Sequence, residues 1–209
     1  MANSINFQSD MSYQTITPSV DAATCVWHTD LPQDKLHRLC RVSISMDQHD
    51  TTRFQVKVFK QREQEWKRAH HAAISFEETR KMFKILNEIK PFLEQCRTRK
   101  QPFSRYIRFI RPTIEQSRQE CHGYWVVNMS KFRCVEVAYT NFPHADRKQL
   151  IFIQIHVYHR RTTKDEFFRV SRCSLTYDEY LHLLDKSDYL LNKLSDTSSE
   201  RTTHIFSIL

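Results

Sequence analysis

Two stretches of this chain follow one order of residue types 101 residues apart: AAISFEETRKMF at 72–83 and CSLTYDEYLHLL at 173–184. Each runs apolar, hydroxyl, aromatic, acid, acid. The hydroxyl stands three residues before the second acid, Ser75 before Glu78 and Thr176 before Glu179, which is the spacing of a helix capping box. Upstream, QVKVF at 55–59 matches QIHVY at 154–158 at an offset of 99, so the second copy needs two extra residues in the intervening hairpin. The chain is therefore expected to be one unit written twice, over 25–96 and 123–194, with 97–122 as a connector. A unit of about 70 residues is close to the size at which a lone core is marginal. Two related copies bury each other's apolar faces as a homodimer would, which predicts an intramolecular pseudo-dimer.

The periodicity gives each unit the order strand, strand, strand, with room for a fourth, then helix. In RLCRVSISMD, Leu39, Arg41 and Ser43 alternate with Cys40, Val42 and Ile44, and RFQVKVFKQ sets Phe54, Val56 and Val58 on one face. EWKRAHHAAIS supplies one or two further extended segments. Met82, Phe83, Leu86 and Ile89 then recur at helical spacing, predicting a helix over 80–93 that ends near Pro91. The second half repeats this with KFRCVEVAYT, QLIFIQIHVYHRR and EFFRVSRCSL as strands, and a helix over 180–194 that buries Leu181, Leu184 and Leu191. Trp27 and Trp125 precede the first strand of each copy as core aromatics. YIRFIR, at 106–111, is a candidate extra strand. Residues 1–24, rich in Ser, Thr, Gln and Asn, are expected to be disordered, and 195–209 to form a flexible tail.

Composition narrows the chemistry. Gly123 is the only glycine in 209 residues, whereas phosphate-cradling loops, dinucleotide fingerprints and nucleophile elbows need several. Glu77, Glu78, Asp178 and Glu179 fit the acidic first turns of helices better than catalytic pairs. His70 with His71, and Cys121 with His122, lack the partner spacing of a zinc site. No enzyme, metal or cofactor is expected. The six cysteines show no C-x-x-C pairing and fit reduced core thiols. No run approaches the roughly 18 apolar residues of a membrane span, and the N-terminus has no signal-peptide pattern, so an intracellular protein that does not enter membranes is expected. The 32 Lys and Arg against 24 Asp and Glu give a formal charge of +8 spread along the chain, which points to a polyanion, nucleic acid first.

A candidate surface follows from strand alternation. Opposite the apolar positions, the first copy carries Gln55, Lys57, Phe59 and Gln61, and the second carries Gln154, His156, Tyr158 and Arg160. The following segments add Lys60, Arg62, Lys67, Arg68 and His71 in one copy, and Arg161, Lys164, Arg169 and Arg172 in the other. Singly, each cation fits edge protection and each aromatic fits a surface covered by the other copy. As a pattern present twice, aromatics between cations suit single-stranded nucleic acid, whose bases stack while its phosphates meet Lys and Arg.

On RVSISMD, RFQVKVFK and AISFEETRKMFKILNEI, the chain resembles the positive cofactor four family of single-stranded-DNA-binding transcriptional coactivators, relatives of the Whirly and Pur proteins. The likeness covers 39–94 and 131–194. The resemblance implies an α+β fold of two tandem β-β-β(-β)-α units, curved antiparallel sheets packed on helices and dimerised through those helices. It also implies that basic and aromatic strand residues grip single strands. The family's basic residue after the alternation of its second strand falls on Phe59 and Tyr158, and its exposed tryptophan falls on Arg62 and Arg161. Its basic cluster before the helix falls on Arg68 and His71, and on Arg169 and Arg172. Aromatic and basic roles are exchanged on the second strand, and the glycines flanking that cluster are absent. The expected function is single-stranded DNA binding with weak sequence preference in transcription, replication or packaging, in the nucleus and alongside transcription or replication proteins. RNA is an alternative ligand, since stacking and phosphate contacts serve either sugar. A protein-interaction module on the same fold is the alternative function.

Overall fold

The computed structural model describes residues 25–31, 38–46, 51–62, 65–98, 113–143 and 149–206. Strands β1 (Cys25–Asp30), β2 (Arg38–Met46), β3 (Thr52–Arg62) and β4 (Glu65–Ile74) lead into helix α1 (Phe76–Thr98). After the short helix α2 (Ile114–Gln119) come β5 (Gly123–Met129), β6 (Arg133–Pro143), β7 (Gln149–His159) and β8 (Phe168–Thr176), then α3 (Tyr177–Asp185) and α4 (Ser187–Phe206). The protein is α+β, and these strands make one antiparallel sheet in the order β1-β2-β3-β4-β8-β7-β6-β5. β4 and β8 meet at its centre, where His71 pairs with Arg172.

Alternation decides which face is buried. Val42, Ile44, Phe54, Val56 and Val58 from the first four strands share one core with Val135, Val137, Ile153, Ile155 and Val157 from the last four. Met82, Phe83, Leu86, Ile89 and Leu93 of α1 and Tyr180, Leu183, Leu190 and Leu194 of α3 and α4 close that core from one side of the sheet. Leu181, Leu184 and Leu191 only border it, half-buried. Both long strand-to-helix junctions carry the capping box read from the sequence. The Glu78 amide donates to Ser75 Oγ at 3.3 Å and the Ser75 amide to Glu78 Oε2 at 2.9 Å. The matching distances for Thr176 and Glu179 are 3.2 and 2.7 Å.

Those two glutamates have a second task. Arg38, at the start of β2, reaches the capping carboxylate of the other half: Nε to Glu179 Oε1 at 2.9 Å and an Nη to Oε2 at 2.8 Å, with a further bond to the Ser174 carbonyl. Arg133, at the start of β6, does the same in the opposite sense, bonding Glu78 at 2.8 and 3.0 Å and the Ala73 carbonyl at 3.0 Å. Irregularities in the ladder repeat as well. The β3–β4 register shifts between Val58 and Phe59, leaving Ala69 unpaired, and the β7–β8 register shifts between Val157 and Tyr158, leaving Val170 unpaired.

Several elements differ from the sequence reading. The fourth strand of each half precedes the others, as β1 and β5, and contains Trp27 and Trp125, while EWKRAHHAAI forms the single strand β4. Helix α1 passes through Pro91 because Leu93 and Cys96 continue the buried stripe while the proline ring stays on the exposed side. Helix α4 continues to Phe206 instead of releasing a flexible tail at Ser195, since no Gly or Pro interrupts it. The connector contains α2. The expectations for residues 1–24 and 106–111 fall outside the described residues. Gly123 owes its identity to packing: a Cβ there would lie 2.7 Å from the Tyr139 ring, its cross-strand partner.

Candidate nucleic-acid interface

The face of the sheet away from the long helices carries most of the residues singled out for binding, and the two halves use it differently. In the first half, Lys57 of β3 lies opposite His71 of β4, and after the bulge at Ala69, Phe59 lies opposite Arg68. The bulge matters because Arg68 and His71 are three apart and would face opposite sides of a regular strand. The extra residue brings both to the outer face. Arg68 and His71 are exposed and Lys57 is half-buried. His71 has its pKa lowered by partial burial, then by the charges of Arg68 and Lys57. On β2 the outer positions Leu39, Arg41, Ser43 and Ser45 are buried, and Arg41 is committed to Asp30 at 2.7 and 3.0 Å. The exposed part of the face therefore runs over β3 and β4 to the joint with β8.

In the second half the equivalent face is closed. Tyr158 is 0% exposed and His156 1%, and both, with Gln154, belong to a buried polar chain. His156 meets the Tyr158 hydroxyl at 2.9 Å and Gln154 Oε1 at 2.7 Å, and Gln154 Nε2 donates to Thr140 at 3.2 Å. Ile114 of α2 packs with Tyr158 and Cys134, with Phe167 against them. Arg118 of α2 binds the buried Glu136 at 2.5 Å, and its guanidinium lies 4.1 Å from the Tyr124 ring centroid. Arg169 faces Ser117 at 3.4 Å and Glu120 at 3.9 Å. Burial, and then the charge of Arg169, push His156 down to about 3, so it stays neutral.

The expected stacking pair is thereby corrected. Phe59, at 8% exposure, and Tyr158 do lie on the outer face by register, but neither ring is open to a base, and His156 is sealed with them. Alternation reports the side of a sheet, not what lies over that side. Arg160 is spent on the Lys131 and Thr163 carbonyls, at 2.6 and 3.3 Å, and covers the Phe167 ring. Arg161 is exposed in the β7–β8 hairpin. Lys60 and Lys67 are exposed cross-strand partners on the helix-side parity, and Lys67 stands 3.5 Å from Glu65. Arg62 ends β3. Arg172 is half-buried at the joint, and its charge, after burial, leads the causes that hold His70 at about 4.

The structure thus brings Lys57, Arg68, His71 and Arg172 together across three neighbouring strands and leaves Arg160, Arg161 and Arg62 at hairpin ends. Sequence reasoning missed Trp66, a half-buried ring on the same outer face, paired with Gln61 beside Arg68. Its signal was present: Trp66 stands two residues from Arg68 on one alternating strand. The covering helix α2 was also legible, because Thr113 and Gln116 form a capping box at 3.3 and 2.9 Å. Among the described residues no cluster of His, Cys, Asp and Glu has the makings of a metal site, and no helix is long and apolar enough to cross a membrane. Compared with known proteins, the chain matches no family model and no curated protein.

Proposed function

We propose that this chain is a non-enzymatic, cofactor-free single-stranded nucleic-acid-binding protein, with DNA the favoured ligand, built as a tandem repeat closed into an intramolecular pseudo-dimer. The cations Lys57 and Arg68, beside His71 on the outer face, are the observation that carries this reading. Among the described residues, neither Lys57 nor Arg68 has an acidic partner. A phosphate backbone supplies the missing counter-charge. A broad sheet face inserts no helix into a major groove, whereas flexible single strands lie along it and expose a base to Trp66. The positive cofactor four resemblance puts Arg68 and His71 in its basic cluster, in line with this path. The first half grips and the second is closed by α2.

The pseudo-dimer reading is supported by reciprocity. Arg38 takes Glu179 as Arg133 takes Glu78, and the glutamates are 101 residues apart, as are the carbonyls of Ala73 and Ser174 that the same arginines reach. Such exchange is the signature of a two-fold interface. Transcription, replication or packaging, within the nucleus, are the settings such a protein would serve.

A protein-interaction role is the second reading, favoured by edge strand β5. Tyr124, Val126 and Met129, with Phe132 beyond the strand, are exposed on a strand with no Lys, Glu or Pro to guard its edge. Binding of a fluorescent single-stranded oligonucleotide decides between them. Replacing Lys57, Arg68 and Arg172 together with Ala is expected to weaken affinity at least tenfold across unrelated sequences, as loss of phosphate contacts does. Equal affinity for wild type and variant contradicts the reading.

A further inference from the structure

The repeat extends upstream of the strands. TIEQSRQECHGYW at 113–125 and TITPSVDAATCVW at 15–27 carry Thr, Ile, Ser and Trp at the same four places, 98 residues apart. In the second half this stretch contains α2, which closes the outer face: Ile114 packs with Cys134 and Tyr158. The ladders identify the matching spot in the first half. Leu39 pairs with Phe59 as Cys134 pairs with Tyr158, and each pair follows the arginine, Arg38 or Arg133, that crosses to the other half. β1 sits two residues along from β5 in these ladders, a slide that keeps Trp27 and Trp125 on the helix side.

Leu39 and Phe59 are buried, and so are Arg41, Ser43 and Ser45 on the same outer face of β2. Yet α1, α3 and α4 pack on the other side of the sheet, and α2 lies over the second half. Arg41 supplies part of the cover, its guanidinium 5.8 Å from the Phe59 ring centroid. The Ser43 and Ser45 hydroxyls are buried with no hydrogen-bond partner among the described residues, which marks a face closed to water. Resting on the tandem-repeat reading above, we infer that this surface takes residues 15–22 of the same chain, with Ile16 against Leu39 and Phe59. Differences between the copies keep the charges matched. Where α2 carries Arg118 against the buried Glu136, the N-terminal stretch carries Val20, and the strand position equivalent to Glu136 is Arg41, which takes Asp30 instead. Where α2 carries Glu120 near Arg169, the N-terminal stretch carries Ala22, and the position equivalent to Arg169 is Arg68. An arginine at position 20 would meet like charge, and a glutamate at position 22 would neutralise Arg68. The docked segment therefore closes β2 and leaves the cations of β3 and β4 to a ligand, so it forms one bank of the proposed path.

The test uses the full chain and two measurements. Ile16→Asp is expected to lower the urea midpoint, as Ile114→Asp does, while Ile5→Asp, outside the repeated stretch, leaves it unchanged. In a chain carrying Ile16→Cys and Leu39→Cys, mild oxidation is expected to join positions 16 and 39 in most molecules, read by mass spectrometry of the digested protein, because a disulfide forms only where Cα atoms come within about 7 Å. Ile5→Cys with Leu39→Cys is expected not to link. If Leu39→Cys fails to fold, Phe59→Cys takes its place in the same comparison. A wild-type midpoint in Ile16→Asp, or equal linking from positions 5 and 16, overturns the docking, and the repeat reading stands as long as Ile114→Asp lowers the midpoint. Wild-type midpoints in both Ile16→Asp and Ile114→Asp overturn the correspondence of the two faces and the repeat reading with it.

Discussion

His71 is the most informative single side chain on the proposed path. In the free protein, partial burial together with Arg68 and Lys57 disfavours its proton. Phosphate reverses that field, so its pKa is expected to rise on binding a single-stranded oligonucleotide, and affinity to tighten as pH falls toward the lowered value of the free protein. Titration of the His71 ring resonance by NMR, with and without oligonucleotide, checks this, and an unmoved pKa contradicts phosphate contact there. His156 behaves oppositely. Its folded pKa of about 3 lies below the unfolded value of 6.5, so the unfolded chain takes up a proton that the folded one refuses, and stability present above pH 6.5 is lost as pH falls. His156→Gln is expected to flatten the stability loss between pH 7 and pH 5 by about 1–2 kcal/mol, read from urea midpoints at the two pH values. From sequence, His156 and His71 were alike, two imidazoles among the residues singled out for binding. What separates them is α2 and its surroundings, which alternation on β7 does not encode.

At the scale of elements, the bulges decide which side chains share a face. Period two assigns Phe54, Val56 and Val58 to the core correctly, but it places Arg68 and His71 on opposite sides, because nothing local marks Ala69 as the extra residue. Val170, 101 residues on, is likewise left unpaired in the β7–β8 ladder, so the same irregularity stands in both halves of the sheet. Deleting Ala69 is expected to turn Trp66 and Arg68 to the helix side. In a background with Trp27 and Trp125 replaced by Phe, oligonucleotide quenching of Trp66 fluorescence should then disappear while the far-ultraviolet circular dichroism is retained. Persistent quenching would mean that the register of β4 does not set the path. The capping boxes, by contrast, were legible because Ser75, Glu78, Thr176 and Glu179 make local bonds that spacing alone specifies. Their partners Arg38 and Arg133 were not, since those contacts depend on how the two halves meet.

Across the whole molecule, those crossed ion pairs tie the halves together with unequal burial: the Arg38 and Glu179 side chains are 6% and 2% exposed, while Arg133 is 23% exposed. Removing one partner of a buried pair strands the other charge, so Arg38→Met is expected to cost about 3–5 kcal/mol. Arg133→Met should cost less, with water reaching Glu78. Glu78, although burial pushes its carboxyl up, is held at about 2 by Arg133, the Ser75 amide and Asn128. Its contribution is therefore complete above pH 4.5 and fades as pH falls toward 2. Chemical denaturation of the two variants gives the order, and equal losses would contradict the burial argument. The central claim, that cations on the outer face meet phosphates, is tested most directly by the salt dependence of binding to single-stranded DNA. Three phosphate contacts, from Lys57, Arg68 and Arg172, predict a plot of log affinity against log salt with a slope of about −2 at about pH 7.5. Lys57→Ala, Arg68→Ala and Arg172→Ala together should flatten it, whereas a slope near zero in the wild type, or one unchanged by the substitutions, would contradict the account.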